Sequence, residues 1–182
     1  MEKLQQNYDI KVNYIYFPLH PETPQEGQSL QAMFGPRADI TAMVGRLKLL
    51  MDQEGLPFDG GRHMTFNSRL AQELAKWGES KAESDKLNMA LYQAYFVDGL
   101  NIGDLDVLMG VVEKVGLPLD EAWEVLDGRL MRTAVDEDWR YARDVGVTSV
   151  PTFAVAMTGV IGAQPYEQLA RLLEYAGAAK RT

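Results

Sequence analysis

The chain has 182 residues, 46% of them hydrophobic, which is enough to bury the core of one domain or of one domain with an insertion. Its formal net charge of −8 argues against nucleic-acid binding, because nucleic-acid-binding proteins present clustered Lys and Arg to the phosphates. It has no cysteine, which excludes disulfides, thiolate nucleophiles and thiolate metal sites from these residues.

The first predicted element is a strand over residues 9–19. This segment, DIKVNYIYFPL, is rich in β-branched and aromatic residues, and Ile10, Val12 and Tyr14 alternate with polar residues before the sequence becomes apolar. The preceding EKLQQNY favours a helix but is too short to form one alone. With its interspersed charges, this N-terminal sequence does not resemble a secretory signal, so the cytoplasm is the expected location. After the strand, HPETPQEGQSL carries two prolines and a glycine, which predicts a loop.

The middle of the chain has helical periodicity. One apolar stripe ends before Gly55, and its members are Ile40, Met43, Val44, Leu47, Leu50 and Met51. Further helices are predicted over FNSRLAQELAKWG, where Asn67 is the expected N-cap, over SDKLNMALYQAYFVDG, and over GDLDVLMGVVEKVG, which Asp104 caps and Gly116 ends. Two more are predicted over PLDEAWEVLDG and VDEDWRYARDVG.

The last third of the chain returns to strands. PTFAVAM and GVIGA predict an antiparallel hairpin with Thr158 and Gly159 as its turn. Pro165 then opens a final helix with a leucine-rich face. The predicted order is therefore strand, helical block, hairpin and helix.

Few residues suggest catalysis or metal binding. His20 and His63 lie in polar segments far apart in the sequence, and no phosphate-binding loop, dinucleotide-binding fingerprint or nucleophile elbow is present. The sequence therefore predicts neither a metal site nor a cofactor. The acidic run Asp136–Asp138 is interpreted as the charged first turn of a helix.

The most informative segment is GVTSVPTFAV, in which Pro151 precedes an apolar run. A proline is tolerated at the first residue of a strand, where no amide hydrogen is needed. Alternatively, a cis Val150–Pro151 bond would fix a loop in which the backbone amide and carbonyl of Val150 pair with an extended peptide, as in strand addition.

This segment and the following VIGAQPYEQLARLLE resemble the C-terminal signature of the DsbA-like thioredoxin-fold family, specifically of its FrnE-type subgroup. FPLHPETPQEG is similar to the subgroup's second strand and exit loop, FNSRLAQELAKW to its Asn-[Ser/Thr]-x-x-Ala helix, and LYQAYFVDGLNIGDLDVLMGVVEKVGL to its helical insertion. The resemblance runs from about Lys3 to Leu173 and implies an α/β fold, with a thioredoxin-like core and an inserted all-helical domain.

The resemblance also predicts the domain organisation. Residues 1–35 and 133–182 are assigned to the core, and residues 36–132 to the insertion. The family's first strand and its Cys-Pro-x-Cys loop are expected to be missing, which would leave sheet backbone groups unpaired at a cost of about 1–3 kcal/mol each.

Three interpretations of the missing cysteines remain open. The first is an N-terminally incomplete FrnE-type protein in which Met1 is an internal methionine. The second is a degenerate homologue whose sheet closes up or receives a strand from a partner. The third is a glutathione-binding branch similar to the 2-hydroxychromene-2-carboxylate isomerases and the kappa-class glutathione transferases.

The family implies thiol-disulfide oxidoreductase activity, whereas this cysteine-free chain is expected to be redox-inactive, without a catalytic residue. The resemblance carries over the binding loop, Ser149, Val150 and Pro151, in which Val150 gives backbone hydrogen bonds. The expected partner is an extended peptide or thiol substrate, with glutathione as an alternative; neither nucleic acid nor membrane is expected, and a homo-oligomer is left open. The rival interpretation is a non-enzymatic peptide-binding module that uses the same loop.

Overall fold

The computed structural model describes residues 1–181 and is dominated by helices. The helices are Glu2–Asn7 (α1), Leu30–Phe34 (α2), Ile40–Gln53 (α3), Arg69–Gly78 (α4), Ser84–Phe96 (α5), Leu105–Val115 (α6), Leu119–Asp127 (α7), Arg132–Asp144 (α8) and Tyr166–Tyr175 (α9). The strands are Gln28–Ser29 (β1), Met64–Thr65 (β2), Thr152–Val155 (β3) and Thr158–Ile161 (β4). Within residues 1–181, every helix is too short or too polar to cross a lipid bilayer.

The chain folds as two compact units. One, here called the hairpin unit, consists of Met1–Leu19 and the chain from Asp138 onward; the other, the helical unit, is His20–Glu137. The boundary falls inside α8, between Glu137 and Asp138. The assignment of residues 36–132 to an inserted domain stays a prediction.

The core of the hairpin unit forms between α1, α9 and the β3–β4 hairpin. Leu4 and Tyr8 are buried with Leu169, Ala170 and Leu173 of α9, and Phe153, Val155 and Val160 of the hairpin pack against this cluster. This burial explains how the six residues of α1 hold a helix that would be unstable in isolation.

The prediction of a strand over residues 9–19 is wrong, because within residues 1–181 the structure forms no strand between α1 and β1. The isolated bridge between Tyr8 and Lys180 lies just before this segment, and β3 and β4 form a two-stranded sheet of their own. A strand exists only where a neighbouring strand supplies a hydrogen-bonded ladder, and no described strand pairs with residues 9–19. Composition favours an extended backbone here, but a ladder depends on a distant partner.

The hairpin is confirmed, but its turn lies two residues earlier than predicted. Val155 pairs with Thr158, so the turn residues are Ala156 and Met157, and Ala156 adopts the left-handed region with φ 52°. Gly159 instead lies within β4, where an added Cβ would approach the carbonyl oxygen of Phe153 to 2.8 Å. The glycine therefore serves close packing of the ladder rather than the turn.

The helices of the middle of the chain are confirmed. Asp104 caps α6 by accepting from the amide of Asp106 at 2.8 Å, and Gly116 ends it with φ 82°. The N-cap of α4 is Ser68 rather than the predicted Asn67, and the Ser68 side chain makes no capping hydrogen bond. Asn67 Oδ1 instead accepts from the amide of Arg69 at 2.8 Å. Asn67 thus supplies the expected acceptor from one position upstream.

The predicted loop 20–30 contains unpredicted short elements. Gln28 and Ser29 pair with Thr65 and Met64 as the β1–β2 ladder, and the Ser29 side chain caps α2 by accepting from the amide of Ala32 at 3.0 Å. These elements place α2 near α3, where Leu30 and Val44 share a small apolar cluster. They were not predicted because two-residue strands carry no periodicity.

A carboxylate is completely buried in the helical unit. Glu73 of α4 is 0% exposed, and its Oε1 accepts from Arg69 Nε at 2.6 Å and from Arg129 Nη2 at 2.7 Å, while its Oε2 accepts from Arg129 Nε at 2.8 Å. Burial alone would raise the pKa of Glu73, but the hydrogen bonds from Arg129 and Arg69 outweigh it and lower that pKa below its usual value. Glu73 is therefore charged inside the protein and held by two guanidinium groups.

The acidic run Asp136–Asp138 does not form the first turn of its helix, contrary to the sequence-based interpretation. Helix α8 begins at Arg132, so the run lies one turn further in. Asp136 Oδ1 accepts from Arg69 Nη1 at 2.7 Å, and the buried Asp138 Oδ2 accepts from the amide of Tyr16 at 3.3 Å. These carboxylates are positioned by specific partners rather than by the helix dipole.

Candidate functional site

The segment between α8 and β3, residues 145–151, carries the predicted binding loop. Helix α8 ends with bonds from the amide of Gly146 to Arg143 O and from the amide of Val147 to Ala142 O, both 2.9 Å long. Gly146 has φ 78°, a conformation that glycine adopts at little cost. The predicted terminal glycine is thus confirmed, and it turns the chain from the helix into the loop.

Pro151 lies directly before β3. The amide of Gly162 donates to the carbonyl of Pro151 at 2.7 Å, which continues the β3–β4 ladder by one residue beyond the pair Thr152 and Ile161. Thr152 Oγ1 also donates to Ser149 O at 2.7 Å, which closes the loop on itself. The Val150–Pro151 peptide bond is cis. The structure therefore anchors the loop on both sides of Val150.

Val150 itself is exposed. Its side chain and backbone together are 46% accessible, and within residues 1–181 neither its amide nor its carbonyl forms a hydrogen bond with the protein. An amide and a carbonyl on one residue are the two groups that an incoming extended strand uses for pairing. The loop therefore presents one unused backbone donor and one unused acceptor on a fixed support.

The chemistry of the loop is limited to binding. From residue 145 to residue 165 the sequence contains no Asp, Glu, Lys, Arg, His or Cys, so this stretch has no general base and no thiolate. Ser149 has a hydroxyl, but no imidazole, carboxylate or amine of the described chain bonds to it to activate it. Backbone hydrogen bonding and apolar contact are what this loop can offer.

The two histidines belong to the helical unit and make no catalytic pairing there. His20 Nδ1 lies 3.8 Å from Glu22 Oε1, and its ring contacts Phe34 edge-on, while His63 lines a pocket beside α3. Within residues 1–181, no three side chains of His, Asp or Glu lie close enough together to hold a metal ion.

Two polar groupings of the helical unit were not predicted. Glu73 meets Arg129 across 56 residues of sequence, and Arg62 stacks on Tyr95 across 33. The helical spacing of Arg69 and Glu73, four residues apart, was the only signal in the sequence for either grouping.

This chain matches a known protein family and is similar to known proteins. A family model described as a DSBA-like thioredoxin domain matches residues 1–174. YwbO of Bacillus subtilis (strain 168), described as uncharacterized, is 30% identical over 162 residues, which are 85% of this chain and 76% of that protein. A crystal structure of a probable DsbA oxidoreductase from Streptomyces coelicolor superposes with a TM-score of 0.79 at 24% identity and covers 87% of this chain and 72% of that one. These matches confirm the predicted α/β, thioredoxin-like fold.

Proposed function

The chain belongs to the DsbA-like thioredoxin domain family, and we propose that it binds extended polypeptide through the loop Ser149–Pro151 without exchanging disulfides itself. One observation carries the proposal: the exposed Val150 keeps its amide and carbonyl unbonded within the described chain, while the loop is anchored on either side of it. Such a pair can accept one residue of an extended peptide in strand geometry.

The redox part of the proposal follows from sulfur chemistry. Disulfide exchange requires a thiolate that attacks a disulfide sulfur, and the 182 residues contain no cysteine. The similar structure described as a probable DsbA oxidoreductase is consistent with a substrate-holding role for the fold, since a peptide must be held while its sulfur reacts. In this chain the holding function is proposed to exist without the reacting group.

The finer assignments are proposals of the same kind. The FrnE-type motifs, including GVTSVPTFAV and the helical insertion, support placing the chain in that subgroup. A cytoplasmic location is proposed with it. Polypeptide is favoured over glutathione because backbone pairing at Val150 is indifferent to side chains, whereas the uncharged stretch 145–165 offers no cation for the carboxylates of glutathione.

Binding of a fluorescein-labelled, cysteine-free extended peptide, followed by fluorescence anisotropy, tests the proposal. Val150→Pro removes the amide donor and is expected to weaken binding about tenfold or less, the effect of one hydrogen bond. Val150→Ala keeps both backbone groups and serves as the matched control, with affinity near that of the original chain.

Two results would contradict the proposal. One is equal binding by the proline and alanine variants when both are folded by circular dichroism. The other is thiol-dependent acceleration of insulin reduction above the buffer rate, which would overturn the redox-inactive assignment. Displacement of the labelled peptide by reduced glutathione at lower concentration than by unlabelled peptide would favour glutathione as the ligand.

A further inference from the structure

A pocket of about 450 Å³ lies beside α3 in the helical unit, away from the loop at Val150 in sequence. One side is formed by the residues of α3 that share a face, among them Ile40, Val44 and Lys48; Arg62 and His63 come from the segment before β2. A volume of this size is within the range of small-molecule sites, about 300–1,000 Å³. We call it the α3 pocket.

The charges that line the α3 pocket are all positive. Arg62 and Lys48 are cations, and none of the pocket-lining side chains is a carboxylate, although the chain as a whole carries a net charge of −8. Lys48 is held by Asp52, its Nζ lying 2.9 Å from Oδ1, and its aliphatic stem lies against Gly60. Within residues 1–181, Arg62 is therefore the cation of the pocket lining that has no carboxylate partner.

Arg62 is the central polar group of this pocket. It is partly buried, its Nε donates to Met64 O at 2.9 Å, its Nη2 donates to Tyr95 Oη, and its guanidinium lies 4.3 Å from the centre of the Tyr95 ring. Burial lowers the pKa of Arg62, partly offset by Tyr95. No Asp or Glu of residues 1–181 forms an ion pair with it, so three of its five N–H donors lack a protein partner.

The Arg62 guanidinium is partly buried, held against aromatic rings and without a carboxylate partner in the described chain, so it is suited to bind the carboxylate of a ligand. Arginine binds carboxylates through two parallel N–H donors, and stacking on Tyr95 keeps the planar group oriented. Ile40 and Val44 add an apolar surface to the same pocket, so the complementary molecule has a carboxylate at one end and an apolar body at the other.

From these observations we infer that the α3 pocket binds small organic carboxylates, with Arg62 binding the carboxylate and α3 contacting the apolar body. Lys48 and His63 also line the pocket, and their N–H groups are further possible hydrogen-bond donors to the anion. The site is independent of the proposed peptide-binding loop, because every residue that forms it lies in the helical unit.

The test is an NMR titration of the full chain with 4-phenylbutyrate and, as its neutral counterpart, 4-phenylbutanamide. 4-Phenylbutyrate is expected to shift the backbone amide resonances of residues 40–48 and 60–63 in a saturable way. 4-Phenylbutanamide is expected to bind at least tenfold more weakly. Arg62→Gln removes the charge and is expected to weaken binding of the acid at least tenfold, whereas Lys86→Gln on α5, outside the pocket, leaves it unchanged.

Gly45 provides a second variant that does not touch Arg62. An added Cβ at this position meets no atom within 4 Å, and Gly45 lines the pocket, so Gly45→Leu places a side chain into the cavity without a clash at Cβ. Gly45→Leu is expected to abolish binding of the acid. Because this variant leaves Arg62 unchanged, it tests the pocket even if Arg62→Gln does not fold. Equal affinity for acid and neutral compound, absence of saturable shifts at the pocket amides, or unchanged binding by a folded Gly45→Leu variant would overturn the inference.

Discussion

The loop at Val150 and the ion cluster around Glu73 differ in the burial and hydrogen bonding of their polar groups. Val150 is exposed and leaves its amide and carbonyl unbonded within the described chain, whereas Glu73 is 0% exposed and accepts three hydrogen bonds from two arginines. A buried polar group must be satisfied internally, but an exposed one can keep its bonding capacity for a partner. The comparison separates a group that stabilises the fold from one available to a ligand.

Removal of the Glu73 charge is the largest expected effect. Glu73→Gln leaves Arg69 and Arg129 without their shared carboxylate and is expected to destabilise the protein by about 3–5 kcal/mol, the range for breaking a buried ion pair. Glu113→Gln on the exposed face of α6 is the control, with a change of about 0.5 kcal/mol or less. Urea denaturation measures both, and similar free energies of unfolding for the two variants would refute the structural role of Glu73.

The pH dependence of stability also tests the role of the Glu73 charge. Because the folded-state pKa of Glu73 is lowered, its stabilisation is fully present above the unfolded-state pKa, about 4.3, and is lost as the pH falls through the folded-state value. Denaturation at a series of pH values is expected to show a steeper loss of stability below about pH 4.3 in the original chain than in Glu73→Gln. Parallel profiles for the two proteins would contradict the assigned pKa direction.

Gly159 in the hairpin is closely packed, whereas Gly110 of α6 has open space around it, and substituting each by alanine compares the two environments. Gly159→Ala places a Cβ 2.8 Å from Phe153 O and is expected to cost about 1–3 kcal/mol through overpacking. Gly110→Ala in α6 meets no atom within 4 Å and is expected to stabilise the protein by about 0.5–1 kcal/mol. Opposite signs in thermal unfolding are predicted; a Gly159→Ala variant as stable as the original chain would argue against the β4 placement of Gly159.

Local patterns were the part of the fold that could be predicted. The apolar spacing identified the helices from α3 to α7, and Gly116 and Gly146 marked helix ends because each adopts a positive φ there. The segment over residues 9–19 was mispredicted because its composition specifies an extended backbone but not a neighbouring strand. The turn was misplaced because Thr158 and Gly159 have turn-compatible composition, although the ladder register places them in β4.

The position of the loop could be predicted for the same reason, whereas its role as a binding site stays a prediction. Pro151 and its flanking motif identified the loop, since the restriction is local to a few residues. The partners of Glu73 and the stacking of Arg62 on Tyr95 could not be predicted, because both join segments that only the tertiary structure brings together. Long-range pairing of charged side chains leaves no periodic signal in one sequence.

The central claim is that the backbone of Val150 pairs with an extended peptide, and amide hydrogen exchange at Val150 tests it most directly. With a saturating cysteine-free peptide, the Val150 amide is expected to exchange about tenfold more slowly than in the free protein, while the amide of Gly162, already bonded to Pro151 O, changes little. Peptide binding that leaves the exchange rate of Val150 unchanged would contradict the account.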